Sequence, residues 1–258
     1  MSQKARIIAI ANQKGGVGKT TTAVNTAVGL AQLNQRVLLV DLDPQGNATM
    51  ACGIDARTLE LSACELLLSE CEADEAIIKT DLVDVIGANT DLTAAELQLM
   101  DQDYPQQALK QQLAAVVGHY DYILIDCPPS LSILTINALT AADSVLIPMQ
   151  CEYYALEGLT SLLDTIKRVQ QTVNPDLHIE GLLRTMFDGR NNLANDVAAQ
   201  ISEHFGDKVF TTVVPRNVKV AEAPSFGQSA IEYDVLSRGA VAYKGLASEI
   251  TRRHHGRS

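Results

Sequence analysis

The sequence has no tryptophan, and phenylalanine, tryptophan and tyrosine together make up only 4% of its 258 residues. We therefore do not expect base stacking to dominate any contact with nucleic acid. The five cysteines are odd in number and form no C-x-x-C pair, which argues against a disulfide framework or a zinc site and favours a reducing compartment. No apolar run is long enough to span a membrane, and the N-terminus lacks the apolar core of a signal peptide. We expect a cytoplasmic protein.

Basic residues are scarce as well, because 20 lysines and arginines face 31 acids, a net charge of −11. The charge is unevenly distributed: residues 55–110 hold 13 acids and 3 bases, whereas residues 216–258 hold 7 bases and 4 acids. This asymmetry allows a basic face on an acidic protein. Composition alone favours an ordinary solvated surface, so it does not by itself indicate a nucleic-acid partner.

A glycine-rich segment follows the apolar run at residues 7–11 and indicates a phosphate-binding loop. Backbone N–H groups of such a loop, together with the N-terminus of the next helix, point at phosphate oxygens. Lys19 can reach the β- and γ-phosphates, and the Thr20 hydroxyl can bind Mg²⁺. Gln13 replaces the first glycine of the strict pattern G-x-x-x-x-G-K-[ST], and a second lysine, Lys14, follows it. A turn that binds nothing would need neither lysine. The predicted phosphate-binding residues are Lys14, Gly15, Gly16, Val17, Gly18, Lys19, Thr20 and Thr21.

Acidic residues follow two further apolar strands of the predicted sheet. Residues 37–41 end in Asp41, with Asp43 two positions on, and residues 122–125 lead directly into Asp126. Four hydrophobic residues followed by aspartate are typical of an acid that holds the shell of a Mg²⁺ ion. Acids at the carboxyl ends of parallel strands lie beside the nucleotide crevice. Each acid taken alone could instead cap a helix or lie in a turn.

The rest of the chain alternates short apolar strands with amphipathic helices. This pattern predicts an α/β fold, a doubly wound and mostly parallel sheet with helices on both faces, formed by a single domain over residues 1–258. Residues 53–81 are acidic and helix-like, and they are the hardest to assign. The predicted strands are 7–11, 37–41, 83–87, 122–125, 144–148, 179–184 and 209–214, and the predicted helices are 19–33, 94–100, 106–117, 156–172, 193–204 and 240–253.

Six stretches of the chain together resemble the ParA/Soj family of partition ATPases. This family is part of the deviant Walker A group of P-loop ATPases, which also contains MinD and the nitrogenase iron protein. The resemblance extends from about residue 5 to residue 250, and the last two stretches favour Soj-like proteins within the group. The stretches are 12–22, 41–49, 126–130, 150–158, 185–190 and 214–227.

The resemblance implies a slow, partner-stimulated ATPase with ATP and Mg²⁺ as cofactors. The catalytic residues would be Lys14, Lys19, Asp43 and Asp126. Lys19 and a Mg²⁺ ion held through Thr20 would neutralise phosphate oxygens, Asp126 would contact the metal shell through water, and Asp43 would orient the attacking water. In relatives the lysine matching Lys14 reaches the nucleotide of a second subunit, so ATP joins a sandwich homodimer.

The resemblance also implies a nucleoid-associated protein that binds double-stranded DNA without sequence preference and is released by a ParB-like partner. Pro215 and Asn217 would contact the adenine base, although Pro-Arg-Asn is equally typical of a strand-ending turn. The predicted DNA-binding residues are Arg190, Arg216, Lys219, Arg252 and Arg253.

Two other functions occur in the deviant Walker A group, and the sequence favours DNA partitioning over both. A MinD-like membrane ATPase should end in an amphipathic helix, but residues 251–258 offer no apolar face, so we expect no membrane contact. A cluster-binding ATPase needs paired cysteines near the dimer axis, and Cys127 and Cys151 do not suggest such a pair. The phosphate loop begins so early that we expect no N-terminal DNA-reading domain.

Overall fold

The structure is a computed structural model that describes residues 4–153 and 155–255. Tyr154, within the predicted motif 150–158, lies outside the described residues, as do both ends of the predicted domain 1–258.

The described residues form one eight-stranded sheet. Its order is β3-β4-β2-β5-β1-β6-β7-β8, and every neighbouring pair is parallel except β3 with β4. The predicted mostly parallel sheet is confirmed. The strands are β1 (Arg6–Ile10), β2 (Val37–Asp41), β3 (Ile77–Ile78), β4 (Asp84–Ile86), β5 (Tyr122–Asp126), β6 (Ser144–Met149), β7 (His178–Phe187) and β8 (Val209–Pro215).

Helices cover both faces of this sheet because its central strands are apolar on both sides. In β1, Ile7 and Ala9 pack into one core cluster, whereas Ile8 and Ile10 pack into the cluster on the opposite face. The helices are α1 (Lys19–Ala31), α2 (Asn47–Ala51), α3 (Ala63–Leu67), α4 (Leu92–Leu99), α5 (Ala108–Leu113), α6 (Ile133–Ala141), α7 (Ala155–Thr172), α8 (Asn192–Phe205), α9 (Val218–Glu222), α10 (Ala230–Tyr233) and α11 (Arg238–His255).

Several elements differ from the sequence-based expectation, among them the short helices α2, α9 and α10, which lie outside every predicted helix. The helix-like stretch 53–81 contains a 3-10 turn at Ala56–Thr58, one short α-helix, α3, which begins with a Ser62–Glu65 capping box, and the edge strand β3. Helix α6 was not predicted at all, because nearly all of its residues are buried and it lacks an amphipathic pattern.

The topology of the sheet brings three loops together at one edge. From β1 the chain crosses to β2 on one side, whereas β6, β7 and β8 extend the sheet on the other. The break in strand order lies at β1, the place where open α/β sheets bind ligands. Asp126 is in register with Ile10 on one side and with Asp41 on the other. The loops that follow β1, β2 and β5 therefore begin side by side.

Candidate functional site

The loop between β1 and α1 has the backbone of an anion cradle. Gly16 and Gly18 have φ values of 72° and 87°, in the left-handed region that favours glycine. A Cβ atom added at Gly15 or at Gly16 would meet nothing within 4 Å, so the space next to these two glycines is open. The loop residues and the N-terminus of α1 therefore leave room for phosphate groups.

Lys19 is the first residue of α1 and lies under this loop. It is only 7% exposed, and its Nζ donates a hydrogen bond of 3.2 Å to the carbonyl oxygen of Lys14. Burial lowers the pKa of Lys19, while the charge of Asp126 acts in the opposite direction. A buried ammonium with so few protein partners has donors left for an anion.

Asp126 is fully buried beside Lys19, and neither of its carboxylate oxygens has a hydrogen-bonding partner among the described residues. Burial raises the pKa of Asp126 well above its usual range, the charge of Asp41 adds to the effect, and the Thr20 hydroxyl opposes it. Unpartnered buried carboxylate oxygens require a partner, because desolvating them costs several kcal/mol. Together with the Thr20 hydroxyl, they fit the oxygen ligands that a hydrated Mg²⁺ ion prefers.

The two acids that follow β2 have different surroundings. Asp41 is fully buried and accepts hydrogen bonds from the Thr49 amide at 2.9 Å, the Thr49 hydroxyl at 2.8 Å and the Asp43 amide at 3.0 Å. It therefore fixes the loop that carries Asp43. Asp43 is 9% exposed, and one of its carboxylate oxygens accepts a hydrogen bond from the Gln45 amide. Its other oxygen is available to a ligand in the crevice.

Lys14 lies on the outside of the loop and forms an ion pair with Glu152, with 2.5 Å between Nζ and Oε2. Both side chains are about half exposed, at 41% and 51%. An exposed pair of this kind contributes about 0–1 kcal/mol and exchanges readily. Lys14 can therefore leave Glu152 for a more strongly charged partner.

Two side chains without a role predicted from the sequence contact the phosphate loop, one directly after β6 and one within β7. Gln150 donates a hydrogen bond of 3.1 Å to the Gly16 carbonyl, and Thr185 donates one of 2.8 Å to the Val17 carbonyl. Their only sequence signal is their position in the stretches 150–158 and 185–190, which carry the family resemblance.

The predicted base-contact residues lie at the end of β8, at the same edge of the sheet. Pro215 and Asn217 are half-buried, and the Asn217 side chain accepts a hydrogen bond of 3.2 Å from the Val220 amide, so it caps α9. This cap is compatible both with a strand-ending turn and with contact to an adenine base. Arg216 is exposed and lines a cavity of about 180 Å³ together with Glu152 and Asp188.

The five predicted DNA-binding residues lie at two different edges of the sheet. Arg190, Arg216 and Lys219 follow the carboxyl ends of β7 and β8, beside the phosphate loop. Arg252 and Arg253 lie in the last turn of α11, where Arg253 contacts Val209 at the start of β8. The structure therefore divides the predicted set between the two ends of the strands.

Arg253 is held inside the fold. Its guanidinium donates to the Val209 carbonyl at 3.1 Å and pairs with Glu249 at 2.9 Å, and it stacks over the Phe210 ring, 4.3 Å from the centroid. Its side chain is only 18% exposed. This environment argues against the predicted DNA role and for a structural one. Arg252, the neighbouring residue, is exposed.

A glycine-rich loop with two lysines, placed between the central parallel strand and its helix, defines a P-loop NTPase of the deviant Walker A type. A family model described as an AAA domain matches residues 5–179. The crystal structure of cobyrinic acid a,c-diamide synthase from Mycobacterium smegmatis with bound ADP and magnesium is similar in fold. Its TM-score is 0.87 at 39% identity, over 98% of this chain and 97% of that chain.

Two curated relatives define the family more closely. The sporulation initiation inhibitor protein Soj of Bacillus subtilis is 53% identical over 247 residues, which cover 95% of this chain and 98% of that protein. The chromosome partitioning protein ParA of Myxococcus xanthus is 51% identical over 250 residues, which cover 96% of this chain and 88% of that protein. The chain belongs to the ParA/Soj family of chromosome partitioning ATPases, and the resemblance found in its sequence is confirmed.

Proposed function

We propose that this chain is an ATP-dependent DNA-partitioning switch. The observation that carries the proposal is the grouping of Lys19, Thr20 and the unpartnered Asp126 carboxylate around an open glycine loop. A buried cation, a hydroxyl and a carboxylate at one such loop match the requirements of a nucleoside triphosphate with its metal. A solved structural neighbour holds ADP and magnesium, which supports the same ligands here.

Lys19 and the loop amides would bind the phosphates, and Thr20 and Asp126 would hold Mg²⁺, Asp126 through water. The metal would supply positive charge to the phosphate oxygens. Asp43 has a fixed backbone and a free carboxylate oxygen at the crevice. It would orient the attacking water, and positioning of this kind is most of what phosphoryl transfer needs from a protein.

Lys14 would act on the nucleotide of a second subunit. Its ion pair with Glu152 is exposed, so the triphosphate of an approaching subunit can compete for the ammonium. ATP would then join two subunits into a sandwich dimer, and its hydrolysis would separate them.

The DNA contacts would come from the edge of the sheet at which the parallel strands end, which we call the carboxyl edge. Arg190, Arg216 and Lys219 lie there on the same side as the phosphate loop, so a dimer formed across ATP brings two such sets together. One set neutralises few phosphates, whereas two sets double the counterion release that drives non-specific binding. A ParB-like partner would release the DNA by speeding hydrolysis. Exposed Arg252, at the other edge, would contribute less.

The packing of α11 favours this function over a MinD-like role at a membrane. Tyr243, Leu246 and Ile250 are buried against the sheet and α1, so the apolar side of the helix is already covered. Within the described residues, no helix combines the length and the apolar composition needed to cross a bilayer.

Lys19→Ala tests the nucleotide assignment. Charge-assisted hydrogen bonds contribute about 1.5–3 kcal/mol each, so the loss of the ammonium should weaken ATP binding by about 100-fold or more in calorimetry. Lys110→Ala, which removes an exposed lysine on α5, should bind ATP like the wild type. Unchanged ATP affinity in Lys19→Ala would contradict the proposal.

A further inference from the structure

Asp188 lies among the basic residues of the carboxyl edge, and Glu152 lines the same cavity as Asp188. Asp188 follows β7, and Arg190 closes back on it with two hydrogen bonds, 2.9 Å from Nε to Oδ1 and 2.7 Å from Nη2 to Oδ2. The Arg190 side chain is 91% exposed, whereas that of Asp188 is 41% exposed. The guanidinium therefore reaches into solvent, while the edge formed by its Nε and Nη2 atoms faces the carboxylate of its own chain.

A second arginine acts on the same carboxylate. Arg190 holds the pKa of Asp188 well below its usual range, and the charge of Arg216 adds to the effect. Asp188 and Arg216 also line one cavity of about 180 Å³. The charge of Asp188 thus acts on Arg190 and Arg216, whereas Lys219, the third predicted DNA-binding residue at this edge, pairs with Glu222 at 3.0 Å.

The geometry of the Asp188–Arg190 pair has a direct consequence for phosphate binding. A guanidinium binds phosphate with the same two-pronged geometry that it uses for a carboxylate. A DNA phosphate must therefore displace Asp188 before it can bind the Nε–Nη2 edge of Arg190, and a phosphate that binds at Nη1 instead meets a guanidinium whose charge Asp188 already balances. The carboxylate also repels every nearby phosphate. Because only a few bases lie at this edge, one negative charge cancels a large share of their positive potential.

We propose that Asp188 restrains DNA binding by occupying Arg190 and partly neutralising Arg216. The inference rests on the proposed function and identifies a residue that tunes it. Asp188 keeps the contribution of each subunit small, so that appreciable affinity requires the two subunits of the ATP dimer. Removal of its charge should strengthen DNA binding without any new base being added.

Asp188→Asn is a suitable test because it preserves the local turn. The Oδ1 atom of Asp188 accepts a hydrogen bond of 3.1 Å from the Arg190 amide, and an asparagine keeps this acceptor while losing the charge. Binding is measured by fluorescence anisotropy on two unrelated DNA duplexes, over a series of salt concentrations, with a slowly hydrolysed ATP analogue. The variant should bind about two- to fivefold more tightly per subunit, the range of one exposed ion pair. The slope of log affinity against log salt should steepen by about 0.9 for each additional phosphate neutralised.

Three controls connect the effect to Arg190. Asp164→Asn removes an exposed carboxylate on α7 for which the described chain shows no ion pair, and it should leave affinity and slope unchanged. In an Arg190→Ala background, Asp188→Asn should lose most of its gain, because the arginine that it frees is missing. ATP affinity, measured without DNA, should remain that of the wild type.

The possible results separate this inference from the proposed function. An unchanged affinity and slope in Asp188→Asn, with normal DNA binding by the wild type, would overturn the inference alone. Loss of ATP affinity in the variant would also overturn it and would assign Asp188 to the nucleotide. Absence of DNA binding by the wild type with the ATP analogue would overturn the proposed function, and the inference with it.

Discussion

Replacement of Arg253 by alanine should destabilise the fold without changing DNA binding. The guanidinium joins the last turn of α11 to the start of β8 through the Val209 carbonyl, and to Glu249 and the Phe210 ring. In Arg253→Ala, Glu249 keeps its hydrogen bonds from the Thr211 and Thr212 amides, both of 2.9 Å. The carboxylate is therefore not left wholly without partners.

The expected cost follows from the loss of these contacts and of a longer hydrogen bond, 3.4 Å, from Arg253 to the Glu180 carbonyl. Hydrogen bonds to a charged group contribute about 1.5–3 kcal/mol, and a cation–π contact contributes about 0.5–2 kcal/mol depending on its exposure. Because Glu249 keeps its other partners, we expect a total loss of about 2–4 kcal/mol in the free energy of unfolding. For a domain of this size, that loss corresponds to a fall in Tm of roughly 5–15 °C.

Thermal unfolding followed by circular dichroism measures this loss. Arg252→Ala is the matched control, because it removes the neighbouring exposed arginine and should change Tm by no more than about 2 °C. Salt-dependent DNA binding by folded Arg253→Ala at low temperature should keep the wild-type slope. A wild-type Tm together with a shallower slope would refute the structural role and return Arg253 to the DNA surface.

Two further predictions concern the nucleotide site. Lys14→Ala should still bind ATP but should neither dimerise nor hydrolyse ATP, because the Lys14 ammonium would act only on the nucleotide of a second subunit. Light scattering with a slowly hydrolysed analogue measures dimerisation. A normal dimer would make Lys14 an ordinary loop residue. Asp43→Ala should bind ATP and dimerise, but its turnover should fall by about 100-fold or more because the group that orients the attacking water is removed. Phosphate release measures this turnover. Wild-type turnover in the variant would mean that another group orients the water.

The parallel strands were predictable because they are short, apolar and buried on both faces. Strand β2 matches its predicted range of 37–41, and β5 extends its range of 122–125 by Asp126 alone. Strand β3 was not predictable, because two residues show no period and its pairing with β4 depends on the folded sheet. Helix α6 was missed because almost every side is buried, so that its sequence lacks the polar stripe that reveals a surface helix.

The phosphate loop was also predictable, since its glycines, lysines and threonines are contiguous. The surroundings of Lys14 were not, because Glu152 lies 138 positions away along the chain. The role of Arg253 was equally hidden. Arg252 and Arg253 are adjacent basic residues in sequence, and only the turn of α11 directs one into the fold and leaves the other exposed.

The central claim is that ATP binding switches DNA affinity. Its most direct test is the retention of the wild-type protein on two unrelated DNA duplexes, measured against salt concentration with a slowly hydrolysed ATP analogue and with ADP. With the ATP analogue, we expect the protein to be retained equally on both duplexes, and we expect this retention to fall steeply as salt increases. With ADP, we expect little retention. Equal retention with the two nucleotides would contradict the switch, and a strong preference for one duplex would contradict binding through phosphates alone.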